Sequence, residues 1–240
     1  MQIFGYILFA ISLFYFFFVW QFPYEEVKKA IIQSVAGTLP LEFSIGKAGP
    51  SFPLQLRLEE INMRSPFLSL QIPDLIVQPN PINLLLGKIT VYVKDLSPSQ
   101  RLQTEFVAEN NRNRIKIRLN NLEIKTVLAD GSFMAVKLSG EATMQWVGEN
   151  WGKANGQAWA LLKRESPQGN TSPQLPFPWT LFDTIRAEMQ IQEGILRVKR
   201  LVASGKDAKE FALKDIQLPL SALGKGEFPD LSLLVPLAPK

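Results

Sequence analysis

The stretch RIKIRL, residues 114–119, alternates charged and apolar side chains one for one, which places Ile115, Ile117 and Leu119 on one face of an extended chain. A period of two is typical of a β-strand with one face on a core and the other in water. The same alternation recurs on both sides of this stretch. It is found in LEFSI (41–45), LQLRL (54–58), FLSLQI (67–72), ITVYV (89–93), VKLSGEATMQW (136–146), TIRAEMQIQ (184–192) and ILRVKRLVA (195–203). These segments predict a mainly β fold of antiparallel strands, arranged as an open curved sheet or as a sandwich.

Residues that favour turns separate the alternating segments. The predicted turns are Gly46 to Pro50, Pro79 to Pro81, Asp130-Gly131, Glu193-Gly194 and Gly205 to Asp207. The segment PINLLLG (81–87) does not alternate, and it predicts a helical turn or short helix between strands.

The N-terminal segment IFGYILFAISLFYFFFVW, Ile3 to Trp20, contains no charged side chain. As a helix rising about 1.5 Å per residue it would be about 27 Å long, close to the hydrocarbon thickness of a bilayer. It predicts a transmembrane anchor over residues 1–22. The anchor residues we expect in the membrane include Ile3, Ile7, Leu8, Phe14, Phe17 and Trp20. A cleaved signal peptide is the alternative, but Met1-Gln2 lacks a basic side chain and QFPYEE (21–26) lacks a small-x-small cleavage site.

A helical period returns briefly after the anchor, with Val27, Ala30, Ile31 and Val35 on one face. It predicts an amphipathic helix over 23–38, which either lies on the membrane surface or caps the open end of the β-domain. The remaining chain divides by composition into three parts. They are a β-rich part over 39–162, a linker rich in Pro, Ser, Asn and Gln over 163–179, and a second β-rich part over 180–240.

Composition excludes several classes of chemistry. The chain has no cysteine and no histidine, so it can form neither disulfides nor thiolate metal sites, and it lacks the usual general base and zinc ligand. Its 26 basic and 22 acidic residues are interspersed, which is not the clustered pattern of a nucleic-acid binder. We therefore expect no enzyme activity, no metal, no cofactor and no nucleic-acid partner.

Two groups of side chains are the remaining candidates for chemistry. The carboxylates are Glu59, Glu60, Asp130, Asp183, Asp207 and Glu210, none in a spacing or apolar context that marks a raised pKa. The aromatic group is Trp146, Trp151 and Trp159, which could contact a sugar or a membrane. The simpler interpretation is that Trp146 and Trp159 pack against each other across neighbouring strands.

The order of elements resembles a known family. Phe22-Pro23 follows the apolar helix, an amphipathic helix comes next, and then a strand ends in Ile45-Gly46 before a Gly-Pro turn and LEEINMRSP (58–66). PINLLLGKITVYV (81–93) and the late segments GILRVKRLVASGKDAKEFALKDIQLPLSAL (194–223) and FPDLSLLVPLAPK (228–240) continue the pattern. This order is similar to type II secretion system protein N, the GspN type, and to the wider AsmA-like group of β-rich envelope proteins. The chain departs from the family by ending after its last proline, without a further glycine-rich strand.

The resemblance implies a bacterial inner-membrane protein with one span and a periplasmic C-terminal domain. The first functional hypothesis is a non-enzymatic component of a type II secretion system that contacts secretion or envelope proteins through sheet edges. Oligomers could form by the same edge pairing. The alternative is an AsmA-like module that binds or transfers lipid in a groove lined by the alternating apolar residues. The same residues would equally line an ordinary core.

Overall fold

The structure is a computed structural model, and it describes residues 2–38, 42–51, 54–65, 68–97, 100–127, 133–148, 150–165, 183–205, 211–213 and 216–219. The helices are α1 (Gln2–Gln21), α2 (Tyr24–Thr38) and α3 (Pro81–Leu85). The first six strands are β1 (Glu42–Ser51), β2 (Gln55–Ser65), β3 (Leu68–Pro79), β4 (Ile89–Asp95), β5 (Leu102–Glu109) and β6 (Arg112–Val127). The other six are β7 (Phe133–Val147), β8 (Asn150–Arg164), β9 (Thr184–Gln192), β10 (Ile195–Ser204), β11 (Phe211–Leu213) and β12 (Ile216–Pro219).

The strands form one sheet in chain order. Each strand from β1 to β11 pairs antiparallel with the next, and β12 pairs with β10 beside β11. The predicted mainly β, antiparallel fold is therefore confirmed. β4 and β5 are short, so β3 and β6 meet beyond them, where Ser69 pairs with Lys125. β3 and β6 therefore converge beyond the end of the β4–β5 hairpin.

The two predicted β-rich parts belong to the same sheet. The second half of β8 pairs with β9, for example Ala160 with Ala187 and Leu162 with Ile185. Most of the expected linker at 163–179 lies outside the described residues, although β8 runs on to Arg164 at its start. Hydrogen bonding across β8 and β9 thus connects the strands before and after that segment.

The main apolar core lies under the first strands. Buried side chains from β1, β2, β3 and β6 form it, and α2 contributes Ile31 and Ile32. The buried members are Ile45, Leu58, Ile61, Leu70, Ile72, Leu75 and Leu122. Helix α2 also contacts β1, so it packs against this part of the sheet. Ala30, expected on the apolar face, is instead exposed.

A crease crosses the first three strands. Along β2 the buried positions Leu58 and Ile61 are three residues apart, and β1 shows the same spacing between Ile45 and the partly buried Ala48. Glu60 has φ 55°, a left-handed conformation that interrupts the regular alternation of side chains along β2. The pairing of β1 with β2 keeps the same register before and after Glu60. The apolar side chains therefore remain on one face although their sequence period changes.

The predicted turn at Gly46 to Pro50 is wrong, because these residues belong to β1. β1 is the first strand of the sheet and pairs only with β2 among the described strands. Proline has no backbone N–H to donate to a neighbouring strand. It is tolerated in an edge strand, where a residue can face away from its single neighbour and needs no such donor. The other turns that fall within the described residues are correctly predicted: β3 ends at Pro79, and Glu193 and Gly194 connect β9 to β10 with φ 50° and 73°.

Candidate functional surfaces

Helix α1 is long and apolar enough to cross a bilayer. Its 20 residues include no charged side chain, and none of the window Phe4–Gln21 is buried inside the structure. Of the predicted anchor residues, Ile7, Phe14, Phe17 and Trp20 are exposed. The side chains of Ile3 and Leu8 lie outside the described set, although both residues are in the helix. The length and the exposed apolar surface of this helix are those expected of a segment that could span a bilayer.

The junction between α1 and α2 is a defined turn. Phe22 and Pro23 separate the two helices, and the N–H of Val27 donates to the Pro23 carbonyl at 3.1 Å. The Tyr24 hydroxyl donates back to the Val19 carbonyl at 3.1 Å, and its ring lies 4.8 Å from that of Phe22. Proline fits here because it presets φ and supplies no N–H at a helix start.

The second half of the sheet carries an apolar face. Three adjacent rows run across β6 to β10. Their members occupy every second position in β6, β7, β8 and β9, and in β10 a bulge widens the spacing between Val198 and Leu201 to three residues. The rows are Ile115, Met144, Gly156, Ile191 and Leu196; Ile117, Ala142, Ala158, Met189 and Val198; and Leu119, Gly140, Ala160, Ala187 and Leu201. We call these fifteen residues the apolar face. Most of them are only partly buried, and no described helix packs extensively on β7 to β10.

Glycine in the apolar face allows neighbouring strands to approach closely. A Cβ added to Gly140 would lie 2.5 Å from the Trp159 carbonyl oxygen. Since that oxygen belongs to the backbone of β8, it could not move aside without disturbing the pairing. Glycine at this position is therefore explained by the close approach of the β7 and β8 backbones.

The tryptophans do not pair as predicted. Trp146 is buried on the apolar side, with its ring centroid 6.2 Å from that of Phe106. Trp159 is 43% exposed on the opposite side, between Glu141 and Glu188 of the neighbouring strands. The register of β7 and β8 separates them, which the local sequence does not reveal. The Trp151 side chain lies outside the described set.

The candidate carboxylates within the described part of the chain have local roles. Glu59 and Asp74 both pair with Arg57, at 3.2 and 2.8 Å, and the hydrogen bond to Asp74 raises the pKa of that guanidinium. Asp183 pairs with Arg164 at 3.0 Å. Glu60 is the left-handed residue of the crease. The remaining candidates, Asp130, Asp207 and Glu210, lie outside the described residues.

Two acidic groups that the sequence did not single out also have local partners. The buried Asp95 accepts hydrogen bonds from the backbone and hydroxyl of Ser97, at 2.7 and 2.5 Å. Glu141 pairs with Lys116 at 2.7 Å, and this hydrogen bond lowers the pKa of Glu141. Among the described residues no group of three acidic side chains is placed to hold a metal ion. Asp95 thus makes local hydrogen bonds and Glu141 a surface ion pair.

Comparisons with known proteins identify no related family, protein or structure. The chain matches no family model, and neither a curated protein nor a solved structure is significantly similar to it.

Proposed function

We propose that this chain is a non-enzymatic, membrane-anchored component of a type II protein secretion system, with its sheet on the periplasmic side of a bacterial inner membrane. The observation that carries the proposal is the continuity of an exposed apolar helix with one long antiparallel sheet. Such a sheet offers backbone groups at its edges to partner strands. The GspN-like features that fall on described residues, the Phe22-Pro23 junction and the helix α3, provide further support.

The sheet edge at β1 is the surface through which this function would operate. β1 has ten residues and a single strand partner among the described strands, and Ser44 on it is exposed. Part of the edge is already used, since Lys28 donates to the Gly46 carbonyl at 3.3 Å. The stretch before Gly46 is the part that a partner strand would extend.

Two measurements test this proposal. Protease added to spheroplasts should remove a C-terminal tag while α1 stays in the membrane fraction. A photo-crosslinking residue at Ser44 should then give adducts with secretion-system proteins, whereas one at Arg118, exposed on the internal strand β6, should give none. A protected tag would place the sheet in the cytoplasm and overturn the proposal. Equal crosslinking at both positions would refute the role of the β1 edge.

The partly buried apolar face favours a second candidate function, the binding of lipid by an open curved sheet. Apolar residues in three adjacent rows, only partly buried, are suited to acyl chains because burial of apolar surface needs no specific partner. Ala142, Ala158 and Met189 lie at the middle of this face.

Native mass spectrometry tests the lipid hypothesis directly. Purified protein should carry co-purifying phospholipid, and Ala158→Glu should abolish it by placing a charge at the centre of the face. Thr143→Glu, on the polar face of the neighbouring strand, is the matched control. Absence of lipid from the unaltered chain, extracted without harsh detergent, would exclude this function.

A further inference from the structure

The two ends of the sheet differ, and the α1–α2 junction lies toward one of them. α3 and the turns at Asn110, Gly148 and Glu193 connect strands at the same end. The pairing of Pro79 with Val91 places α3 there as well. We call this the anchor end, for the reason that follows from the course of α2.

Helix α2 runs antiparallel to β1 and directs the α1–α2 junction toward the anchor end. Its last residue, Thr38, precedes the start of β1, whereas Lys28 in its first half reaches the Gly46 carbonyl at 3.3 Å. The ten residues from Lys28 to Thr38 rise about 15 Å, matching the roughly 13 Å from Gly46 back to Glu42. The start of α2, and with it the end of α1, therefore lies further along β1 toward the anchor end.

Exposed apolar side chains are concentrated at that same end. Outside α1, ten large apolar side chains of the described residues are exposed, and seven of them are at the anchor end. The seven are Leu54, Ile82, Leu84, Leu85, Leu86, Ile89 and Val147. Tyr92 and Trp159 lie on the polar face in mid-sheet, and only Leu96 is at the opposite end. Scattered exposure needs no explanation, but a cluster of this kind marks an interaction surface.

The most exposed of these side chains are held in place by hydrogen bonds. Leu85 and Leu86 are 89% and 76% exposed. The Asn80 side chain caps α3 by accepting from the N–H groups of Ile82 and Asn83 at 3.1 and 3.2 Å. The Asn83 amide in turn donates to the buried hydroxyl of Thr90 at 2.9 Å. The polar residues thus fix the tip while the leucines point away from the sheet.

We propose that the anchor end docks on the surface of the bilayer that α1 crosses, with the leucines of α3 inserted at the boundary of headgroups and acyl chains. An apolar helix surface seated in this boundary is a known mode of membrane binding. Lipid is favoured over a protein partner because the α1–α2 junction lies toward this end of the sheet, so a bilayer crossed by α1 would be nearest to it. Docking would fix the tilt of the sheet relative to the membrane. The inference rests on the membrane anchoring in the proposed function.

Fluorescence from single cysteines tests the docking, and the absence of native cysteine makes labelling clean. Full-length Leu85→Cys protein carries an environment-sensitive dye and is reconstituted in vesicles of phosphatidylethanolamine and phosphatidylglycerol with brominated acyl chains. We expect a blue shift and strong quenching. The control is Gln100→Cys, exposed at the far end of β4, about 23 Å away. It should show neither change. A reporter at Ile82→Cys should lose its quenching when Leu84, Leu85 and Leu86 are all replaced by serine.

Extraction of the same vesicles at alkaline pH separates two kinds of failure. If α1 resists extraction and the Leu85 dye is neither shifted nor quenched, docking is refuted while anchoring stands. Release of α1 by extraction would instead refute the anchoring on which the docking rests. If the dye at position 85 shows no response to lipid, and a photo-crosslinking residue at the same position gives adducts with a membrane protein in cells, this end binds a protein partner. That result would overturn the inference.

Discussion

Replacing Gly46 with alanine is expected to destabilise the sheet at the crease. The added Cβ would lie 2.9 Å from the Cβ of Glu60, and it would also meet the Glu60 carboxylate. The carboxylate can swing away, but the Cβ cannot move without the backbone of β2. Overpacking of this kind costs about 1–3 kcal/mol, and the entropy that alanine removes from the unfolded chain offsets about 0.4–1 kcal/mol. We expect a net loss of about 1–2 kcal/mol.

The assay is urea denaturation of the full chain in a mild detergent, followed by tryptophan fluorescence. In a thermal experiment a loss of this size lowers Tm by about 2–8 °C for a domain of this length. Gly49→Ala is the matched control, because nothing lies within 4 Å of its added Cβ. Gly49→Ala should change the stability by no more than about 0.5–1 kcal/mol, in the stabilising direction.

A second substitution isolates the steric cause. Glu60→Gly removes the opposing Cβ and also relieves the left-handed backbone at φ 55°. In that background Gly46→Ala should be nearly neutral, which corresponds to a coupling free energy of about 1–2 kcal/mol. If Gly46→Ala costs the same with and without the Glu60 side chain, the close approach of these residues does not explain the glycine.

Three further predictions follow from single contacts. Ile61→Ala, at a core position 3% exposed, should lower the free energy of unfolding by about 2–5 kcal/mol in the same assay, and a loss under about 1 kcal/mol would contradict the core assignment. Asn80→Ala removes the cap of α3 and should cost about 0.5–2 kcal/mol, with faster amide exchange at Ile82; unchanged exchange would argue against the cap. Lys116→Gln should raise the pKa of Glu141, measured by carboxyl carbon NMR, because its main hydrogen bond to Lys116 is lost. Since that pKa is lowered in the folded chain, the pair stabilises above the ordinary glutamate pKa, and this contribution disappears as pH falls through the folded value. An unshifted Glu141 titration in the variant would refute this cause.

Local sequence patterns were sufficient to predict the classes of structure. The alternation of Ile115, Ile117 and Leu119 predicted β6, because a pleated strand places every second side chain on the same face. The uncharged run before Pro23 predicted α1, and the proline itself marked the junction with α2. The strand, the helix and the junction each depend on residues that are close together in the sequence, so local patterns are enough to predict them. The proposed secretion function stays a prediction, since it rests on the resemblance and on sheet edges.

The predictions that were wrong concern features that depend on how the strands pair with one another. Gly46 and Pro50 continue in β1 because they lie at an edge, which depends on the order of strands. Trp146 and Trp159 fall on opposite faces because the register of β7 and β8 shifts near Gln145. An alternating segment does not specify its register, since the same period can pair at several offsets.

The sequence by itself determined that this protein has an apolar N-terminal helix and a set of antiparallel strands with one apolar face. Only the tertiary structure decided which apolar side chains are left in contact with solvent. As apolar residues, Leu85 and Leu86 would be expected in the core from the sequence alone, yet both are exposed at the anchor end. The physical reason is that burial depends on what packs against a residue, and the hydrogen-bonded order of twelve strands sets those neighbours across the whole chain.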